Sequence, residues 1–453
     1  MVPLRVSAQW VLPVSGAPIA YGAVLIGASG RIKTVGPDAV VPRPPDAQVV
    51  DLGDAALLPG LVNVHSHLEL TALRGLVRGL PFPDWLLTVR AIKDTLDAAA
   101  VRASARWGVL EGFAAGITTF GDTGSGLQTA AALAELGGRG VAYHEIFGPD
   151  PAACAEALAG VERALEALER FQSQRVTVGV APHAPYTVSD PLVRAVAALA
   201  SGRGLKTAMH VAESREERAL VEEGRGPFAE QLRARGIAVE ARGCSTVEWL
   251  ERAGLLACRP LLIHCVTAGL GDFGIARRHG AAVAHCPWSN AVLGHGRADL
   301  SAMRRVGVVV GLGTDSVITG GRLDLFAEAR LAELGLESGL SPRELLRLVT
   351  ADGAAALGLP GLGTLEPGAW GDLAAVGLTA PGFAAAADPE AVVAWGATAA
   401  DVVFAAVAGR VVFDRGRWPG VALEEERAAC ARAAAAAAAV SRPVVPRGMF
   451  GRP

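Results

Sequence analysis

Histidine and aspartate residues stand at the ends of several short apolar segments in the central part of the chain. His65 and His67 follow LLPGLVNV, His210 ends KTAMH, and Asp315 ends VGVVVGLGTD. Residues two apart on a strand point to the same side, so His65 and His67 can bind one metal ion together. An isolated H-x-H is as often two unrelated surface histidines, but the ligands available on later segments argue against that alternative. We therefore predict a metal site of His65, His67, His210 and Asp315.

Two further residues are candidates for proton transfer and for orienting water. Glu213 follows His210 by three residues, close to the metal without necessarily binding it, which is the placement expected of a proton shuttle. The alternative for Glu213 is a carboxylate at a helix start, stabilised by the helix dipole. His264 in LLIHC is either a buried, hydrogen-bonded histidine or a residue that orients water or polarises the substrate. The predicted catalytic residues are Glu213, His264 and Asp315, with Asp315 accepting the proton of the attacking water.

Other polar and aromatic residues are candidates for substrate contact. His183 lies between two prolines in APHAPYTVS, a rigid loop better suited to contacting substrate than to binding metal. His285 in AHCPWSN either lines the pocket or supports it from the core. The predicted substrate contacts are Trp85, Glu145, His183 and His285, and Asp84 and Asp94 beside Trp85 are further candidates.

These residues need a scaffold that brings distant chain segments together. Short apolar runs alternate with amphipathic helical stretches, which is the pattern of repeated β-α units, and eight strands close a parallel barrel. The active site of such a barrel lies at the carboxyl ends of its strands, where six of the nine histidines fall. The eight candidate strands span residues 61–67, 116–122, 140–147, 176–183, 206–213, 261–265, 281–287 and 306–315.

Both ends of the chain differ in sequence pattern from the central β-α region. They have short alternating apolar runs and glycine turns that predict β-hairpins. Neither end is long enough to bury a sheet face alone, so we expect one small domain from both. The predicted fold class is therefore α/β: a (β/α)₈ TIM-like barrel with a small β-sandwich domain formed by both chain ends. The predicted ranges are 1–58 and 366–420 for the β-sandwich, 59–365 for the catalytic barrel, and 421–453 for a C-terminal Ala-rich helix and tail.

The scarcity of lysine bears on the number of metal ions. A two-metal hydrolase of this architecture would carry a bridging modified lysine at the end of strand four. The chain has lysine only at positions 33, 93 and 206, and none of the three is there. We expect one divalent transition metal, Zn²⁺ or alternatively Fe²⁺.

Composition excludes several other classes of protein. Hydrophobic residues make up 51% and charged residues 19% of the 453 residues, which predicts a globular fold. A net charge of −3 gives no reason to expect a nucleic-acid or membrane-surface partner. The six cysteines form no C-x-x-C pair, and the N-terminus is a poor signal peptide. We expect a cytoplasmic protein that forms a homodimer. Its expected binding partner is a small-molecule substrate.

Several motifs give the chain a family resemblance. It resembles the amidohydrolase superfamily, in particular the mononuclear-metal deaminases and chlorohydrolases, through LLPGLVNVHSHLELTALRG, APHAPYTVS, MHVAESREE, HCPWSNAVLGHG, VGLGTDSVITGGRLDLFAEARL, LSPRELLRLVTADGAAALGL and GTLEPGAWGDLAAVG. The resemblance implies metal ligands at His65, His67, His210 and Asp315, a proton shuttle at Glu213, and a water- and substrate-positioning role for His264. Within this branch HSHLELT, PFPDWL, YHEIFG and GHG look most like aminodeoxyfutalosine deaminases of menaquinone biosynthesis. SVITGGRLD after Asp315 and Trp288 depart from that pattern.

These observations predict a hydrolytic deaminase that releases ammonia from a 6-aminopurine nucleoside or similar amino-heterocycle, with aminodeoxyfutalosine as one candidate. Related enzymes act on methylthioadenosine, adenosylhomocysteine or guanine. The same site could instead remove chloride or hydrolyse an amide. A non-catalytic barrel serving as a scaffold is a third alternative, and the full ligand set argues against it. The H-x-E with P-C-x-x-C design of cytidine deaminases is absent.

Overall fold

The computed structural model describes residues 2–334, 336, 339–384 and 388–440. The tail of the predicted C-terminal segment, residues 441–453, therefore lies outside the described residues. Sixteen strands occur within the described ranges. They are β1 (Leu4–Val11), β2 (Ile19–Ile26), β3 (Ile32–Pro37), β4 (Gln48–Asp51), β5 (Ala55–Pro59), β6 (Leu61–Ser66), β7 (Ile117–Gly124), β8 (Arg139–Ile146), β9 (Val176–Pro182), β10 (Lys206–Val211), β11 (Leu261–His264), β12 (Ala282–His285), β13 (Val309–Leu312), β14 (Leu373–Gly377), β15 (Val402–Val407) and β16 (Arg410–Asp414).

Strands β6 to β13 form a barrel in which each strand pairs in parallel with the next along the chain. A parallel bridge between Ser66 and Asp315 brings the first and last strands together. Both faces of these strands are covered, which is why the sequence shows apolar runs there and not alternation. Eight strands with intervening helices confirm the predicted barrel.

The last barrel strand is shorter than predicted. Residues 300–306 belong to a helix, and Gly307 ends that helix in the left-handed region with φ +78°. The strand begins only at Val309. A left-handed glycine after a helix is a common stop signal, and here it separates two apolar segments that read as one run.

Side chains fill the barrel beneath its carboxyl end. Val64, Tyr143, Ile263 and Ala284 belong to one buried cluster, together with Leu357, which follows the helix Ala351–Ala356. The barrel is therefore solid below the strand ends, as expected for this architecture, and its polar residues can converge only at the open end.

Both ends of the chain form a second, mixed sheet in the order β16-β15-β14-β5-β1-β2-β3, with β4 beside β1. Glycines at two tight turns of this sheet have positive φ, Gly30 at +78° and Gly409 at +79°. The sheet meets the amino ends of barrel strands. There Arg139 at the start of β8 donates to Asp372 over 2.7 and 3.1 Å, and both residues are buried. The fold class predicted from the sequence is confirmed.

Helices connect the barrel strands and cover the outside of the barrel. Ser341 and Glu344 form the capping box that their spacing predicts, with Pro342 in the first turn. No helix in the described ranges combines the length and apolar character needed to cross a membrane. The helices are α1 (Phe82–Lys93), α2 (Ala98–Ala114), α3 (Leu127–Leu136), α4 (Cys154–Glu169), α5 (Asp190–Arg203), α6 (Arg215–Glu223), α7 (Pro227–Ala234), α8 (Thr246–Ala253), α9 (Leu270–His279), α10 (Pro287–Val292), α11 (Leu300–Val306), α12 (Val317–Gly320), α13 (Leu325–Glu333), α14 (Pro342–Leu348), α15 (Ala351–Ala356), α16 (Pro389–Ala391) and α17 (Leu423–Val440).

The Ala-rich helix α17 lies against α2 and the 3₁₀ segment Leu68–Leu73. It buries Cys430, Ala433 and Ala437, and Glu426 pairs with Arg106 of α2. Its small side chains allow close approach to the barrel next to the first metal-binding motif.

Candidate metal centre and active site

Three histidines and one aspartate converge at the open end of the barrel. The ring of His65 lies 4.8 Å from that of His67 and 5.0 Å from that of His210, measured between centroids. Nε2 atoms of His65 and His67 each lie 3.3 Å from Asp315 Oδ1. Gly313 makes room for this approach, because a Cβ there would come within 2.8 Å of the Cβ of His65. The structure thus brings the four predicted ligands together.

Hydrogen bonds orient these side chains. His210 Nδ1 donates to the carbonyl of His183 over 2.9 Å, which leaves Nε2 with its lone pair toward the cluster. Asp315 accepts from the Ser289 hydroxyl and, over 2.7 Å, from the amide of Ser316. His65 is fully buried, and neither ring nitrogen has a hydrogen-bond partner among the described residues.

The orphaned nitrogens of His65 and the donor set of three imidazoles and one carboxylate fit a divalent transition metal such as Zn²⁺ or Fe²⁺. Burial lowers the pKa of His65 to about 3 and also lowers the pKa of His67 and His210. Burial opposes ionisation of Asp315, but the close contact with His65 and the electrostatic interaction between the two outweigh it and hold the pKa of Asp315 well below the usual range. Neutral imidazoles and a carboxylate are the forms that bind metal.

Backbone strain is concentrated around the same strand ends. Nine non-glycine residues in the described ranges have positive φ, and four are Ala212 (+50°), His264 (+75°), Cys265 (+53°) and Asp315 (+55°). Such conformations persist only where the surrounding structure holds them, and they cluster at functional sites. Four of the nine therefore lie at the ends of β10, β11 and β13, next to the predicted ligands.

Glu213 lies beside this cluster. Its Oε1 is 3.5 Å from His264 Nε2, and its Oε2 accepts from the Tyr186 hydroxyl over 3.2 Å. Glu217 holds the backbone here, because its carboxylate accepts from the amides of Ala212 (2.6 Å) and Glu213 (3.0 Å). Burial opposes ionisation of Glu213, but the electrostatic interaction with His264 and the close contact with His295 Nε2 prevail and lower its pKa to about 2. The Glu213 carboxylate is therefore buried, ionised and in contact with Tyr186, His264 and His295.

A cavity of about 630 Å³ opens above the cluster. Of the four predicted substrate contacts, Trp85, Glu145 and His183 line it, together with His67, His210, Glu213, His264 and Asp315. His285 is buried at the end of β12 outside this lining, and burial lowers its pKa to about 3. Its part in substrate binding stays a prediction. Glu145 Oε1 is buried without a partner among the described residues, so the cavity offers an unsatisfied acceptor.

Several residues at this site were not indicated by the sequence pattern. Tyr186 and His295 contact Glu213, and Asn290 Oδ1 lies 2.9 Å from His264 Nδ1. Lys93 of α1 lines the cavity and pairs with the buried Glu69. Glu69 follows His67 by two residues, and that spacing was the one signal that could have pointed to the pair.

The barrel with its polar strand ends defines a hydrolase of the metal-dependent TIM-barrel class. The sequence pattern of the amidohydrolase family matches residues 56–413. The chain belongs to the amidohydrolase family, as the resemblance implied, and is a hydrolase acting on carbon–nitrogen bonds other than peptide bonds.

Relatives and solved structures agree with this assignment. The 5-methylthioadenosine/S-adenosylhomocysteine deaminase of Nitratidesulfovibrio vulgaris is 33% identical over 407 residues, covering 86% of this chain and 87% of the relative. An adenosine deaminase of Xanthomonas campestris, solved with bound zinc, superposes with a TM-score of 0.84 at 25% identity, covering 96% and 98% of the two chains. Aminofutalosine deaminase of Helicobacter pylori shares the fold, with a TM-score of 0.75 at 20% identity over 91% and 100%.

Proposed function

We propose that this protein is a metal-dependent deaminase that hydrolyses the exocyclic amine of a 6-aminopurine nucleoside and releases ammonia. Candidate substrates are methylthioadenosine, adenosylhomocysteine and aminodeoxyfutalosine. One observation carries the proposal: Glu213 stands 3.5 Å from His264 on the floor of a large cavity, beside a cluster of three histidines and Asp315. The similarity to methylthioadenosine/adenosylhomocysteine deaminases over most of the chain supports the nucleoside class.

His65, His67, His210 and Asp315 would hold one divalent cation, with Zn²⁺ the expected ion. When bound, such an ion supplies Lewis-acid activation of water. Asp315 takes a proton from the attacking water. Glu213, a carboxylate, takes the second proton of the water and delivers it to the ring nitrogen next to the attacked carbon. The proton held by Asp315 passes to the amine, which leaves as ammonia. His264, tied to Asn290 on its other nitrogen, hydrogen-bonds the water and the oxygen that forms on the purine ring.

The size and lining of the cavity suit a nucleoside with a further group on its sugar, as in the candidate substrates. Phe82, Trp85 and Phe228 give it an aromatic wall that can pack against a base. Glu145 lines the cavity, so its unpartnered carboxylate oxygen can accept hydrogen bonds from sugar hydroxyls. His183 is held by a 2.8 Å contact between Nδ1 and Thr187 Oγ1, which fixes its ring at the cavity edge.

The test is ammonia release by purified protein against methylthioadenosine, adenosylhomocysteine, aminodeoxyfutalosine, adenosine and guanine, with chloride release from a chlorinated triazine in parallel. We expect ammonia from at least one adenine nucleoside. Chloride release alone would establish the chlorohydrolase alternative, and no turnover with a full complement of metal would support the scaffold alternative. Either result overturns the proposal.

A variant separates proton transfer from metal binding. Glu213→Gln should lower kcat by about 10²- to 10⁴-fold, the range for a positioned acid-base group. Metal per chain should stay at the wild-type value, because Glu213 is proposed as a proton shuttle and not as a ligand. Wild-type turnover by this variant would contradict the role proposed for Glu213.

A further inference from the structure

The loop after α10 places a histidine directly behind Glu213. His295 is flanked by Gly294 and Gly296, both in the left-handed region with φ +73° and +104°. Its amide donates to the carbonyl of Asn290 over 2.9 Å, and its side chain is 2% exposed. Glycine adopts positive φ at little steric cost, so the two glycines allow the loop to turn on both sides of His295.

The ring of His295 faces the carboxylate of Glu213. Nε2 lies 3.4 Å from Glu213 Oε1 and makes no well-aligned hydrogen bond to any residue in the described ranges. The edge of the ring packs against Phe82, with centroids 4.4 Å apart and planes at 82°. Packing of this kind leaves the ring little freedom to turn away, so Nε2 stays directed at Glu213.

His295 does not belong to the cavity lining, whereas Glu213 does. His295 can therefore affect a bound substrate through Glu213, or through Phe82, which it also contacts and which lines the cavity. Within the described residues, the Glu213 side chain also lies near the Tyr186 hydroxyl, which donates to Oε2, and near His264 on the side of Oε1. A carboxylate that hands a proton to a ring nitrogen must keep one orientation during turnover, since proton transfer needs hydrogen-bond geometry.

We propose that His295 is a positioning residue, which donates Nε2–H to Glu213 Oε1 and so holds the carboxylate against His264 on the cavity floor. The proposal rests on the proposed deaminase function, in which Glu213 is the proton shuttle. In that function, His295 is the side chain that keeps the Glu213 carboxylate in one orientation.

Two variants test this role by activity. His295→Leu removes the donor and keeps an apolar side chain against Phe82, and we expect kcat to fall about 10- to 100-fold, as for partners that orient functional groups. KM, metal per chain and Tm should stay near the wild-type values. His295→Gln, which places an N–H at a similar reach, should recover most of the lost kcat. Equal loss in both variants would contradict the proposal, and His279→Leu, on the surface beside Glu251, is the matched control.

A double-mutant cycle asks whether the effect passes through Glu213. In the Glu213→Gln background, His295→Leu should have little further effect, because the group that it positions is already lost. Equal fold losses in both backgrounds would overturn the inference while the deaminase function stood.

A crystal structure of His295→Leu gives a readout that needs no activity. We expect the Glu213 carboxylate to leave the position 3.5 Å from His264 Nε2. An unmoved carboxylate overturns the inference even if the protein proves inactive on every nucleoside, an outcome that would by itself count against the deaminase function.

Discussion

Buried polar side chains occur at both ends of the barrel strands, but they differ in whether they have protein partners. At the carboxyl ends, buried polar groups such as His65 and Glu145 have nitrogens or oxygens without protein partners. At the amino ends, Arg139 and Asp372 are also buried, but they satisfy each other, and Asp372 accepts the amide of Ala408 as well.

This difference separates catalysis from stability. Unsatisfied buried groups cost free energy of folding, and those of His65 and Glu145 lie where a metal ion or a substrate can satisfy them, whereas the unpaired groups at the amino ends include hydroxyls such as that of Thr118. Paired groups at the other end join the barrel to the terminal sheet. We expect substitutions at the carboxyl ends to change chemistry, and substitutions at the amino ends to change the free energy of unfolding.

The largest expected effect comes from removing a ligand. His67→Ala should lose stoichiometric metal and lower ammonia release by more than the about 10- to 100-fold typical of residues that only support a ligand. Metal is measured per chain by elemental analysis alongside turnover. His279→Ala is the control, because that histidine pairs with Glu251 on the surface. Retention of metal together with activity would remove His67 from the ligand set.

The second prediction concerns the amino ends. Asp372→Ala leaves Arg139 buried without its partner and should lower the free energy of unfolding by about 3–5 kcal/mol. Activity and metal content of the folded fraction should not change. The comparison variant is Glu222→Ala, which breaks an exposed pair with Arg218 and should cost at most about 0.5 kcal/mol in urea unfolding. A large loss of kcat in Asp372→Ala would contradict the expectation that the amino ends affect only stability.

A third prediction concerns the cavity wall. Trp85→Ala should raise KM about tenfold with kcat nearly unchanged, since losing roughly 1.5 kcal/mol of apolar contact corresponds to that factor. Steady-state kinetics on the preferred nucleoside measures both constants. Trp395→Ala, on an exposed tryptophan, serves as the control. An unchanged KM would remove Trp85 from the substrate contacts.

The last prediction is a pH dependence of stability near the metal centre. Glu328 accepts the amide of Trp288 over 3.0 Å, and burial, with the charge of Asp315, raises its pKa from 4.5 to about 8. The folded state then holds a proton that the unfolded state releases, so the stability associated with Glu328 is lost as pH rises from about 4.5 to about 8. Glu328→Gln should flatten the dependence on pH in this window. Urea unfolding of both proteins at about pH 5 and about pH 8 tests it, and parallel curves would contradict it.

Strand-end residues were predictable because a barrel strand places its last residues at the active-site end whatever the loops do. Asp315 ends an apolar run, and burial of both strand faces makes such runs visible in sequence. Strand limits were less predictable, since Gly307 divides one apolar run into a helix and a strand.

Two histidines show what the sequence left open. His285 ends a strand as the predicted ligands do, yet it lies outside the cavity lining. His295 comes from a loop after α10 and lies 3.4 Å from Glu213, although 82 positions separate them in the chain. Loop geometry depends on packing against other elements, here Phe82 of α1, and no local pattern encodes it.

The sequence by itself determined the barrel, the terminal sheet and the family, because periodicity, turn residues and motif spacing are local properties. It also nominated the residues around the metal centre, since strand geometry fixes which ends meet. Only the tertiary structure decided which side chains surround Glu213, how Lys93 joins α1 to Glu69, and which residues line the cavity. Those contacts join segments far apart in the chain, and their geometry follows from how helices and loops pack on the finished barrel.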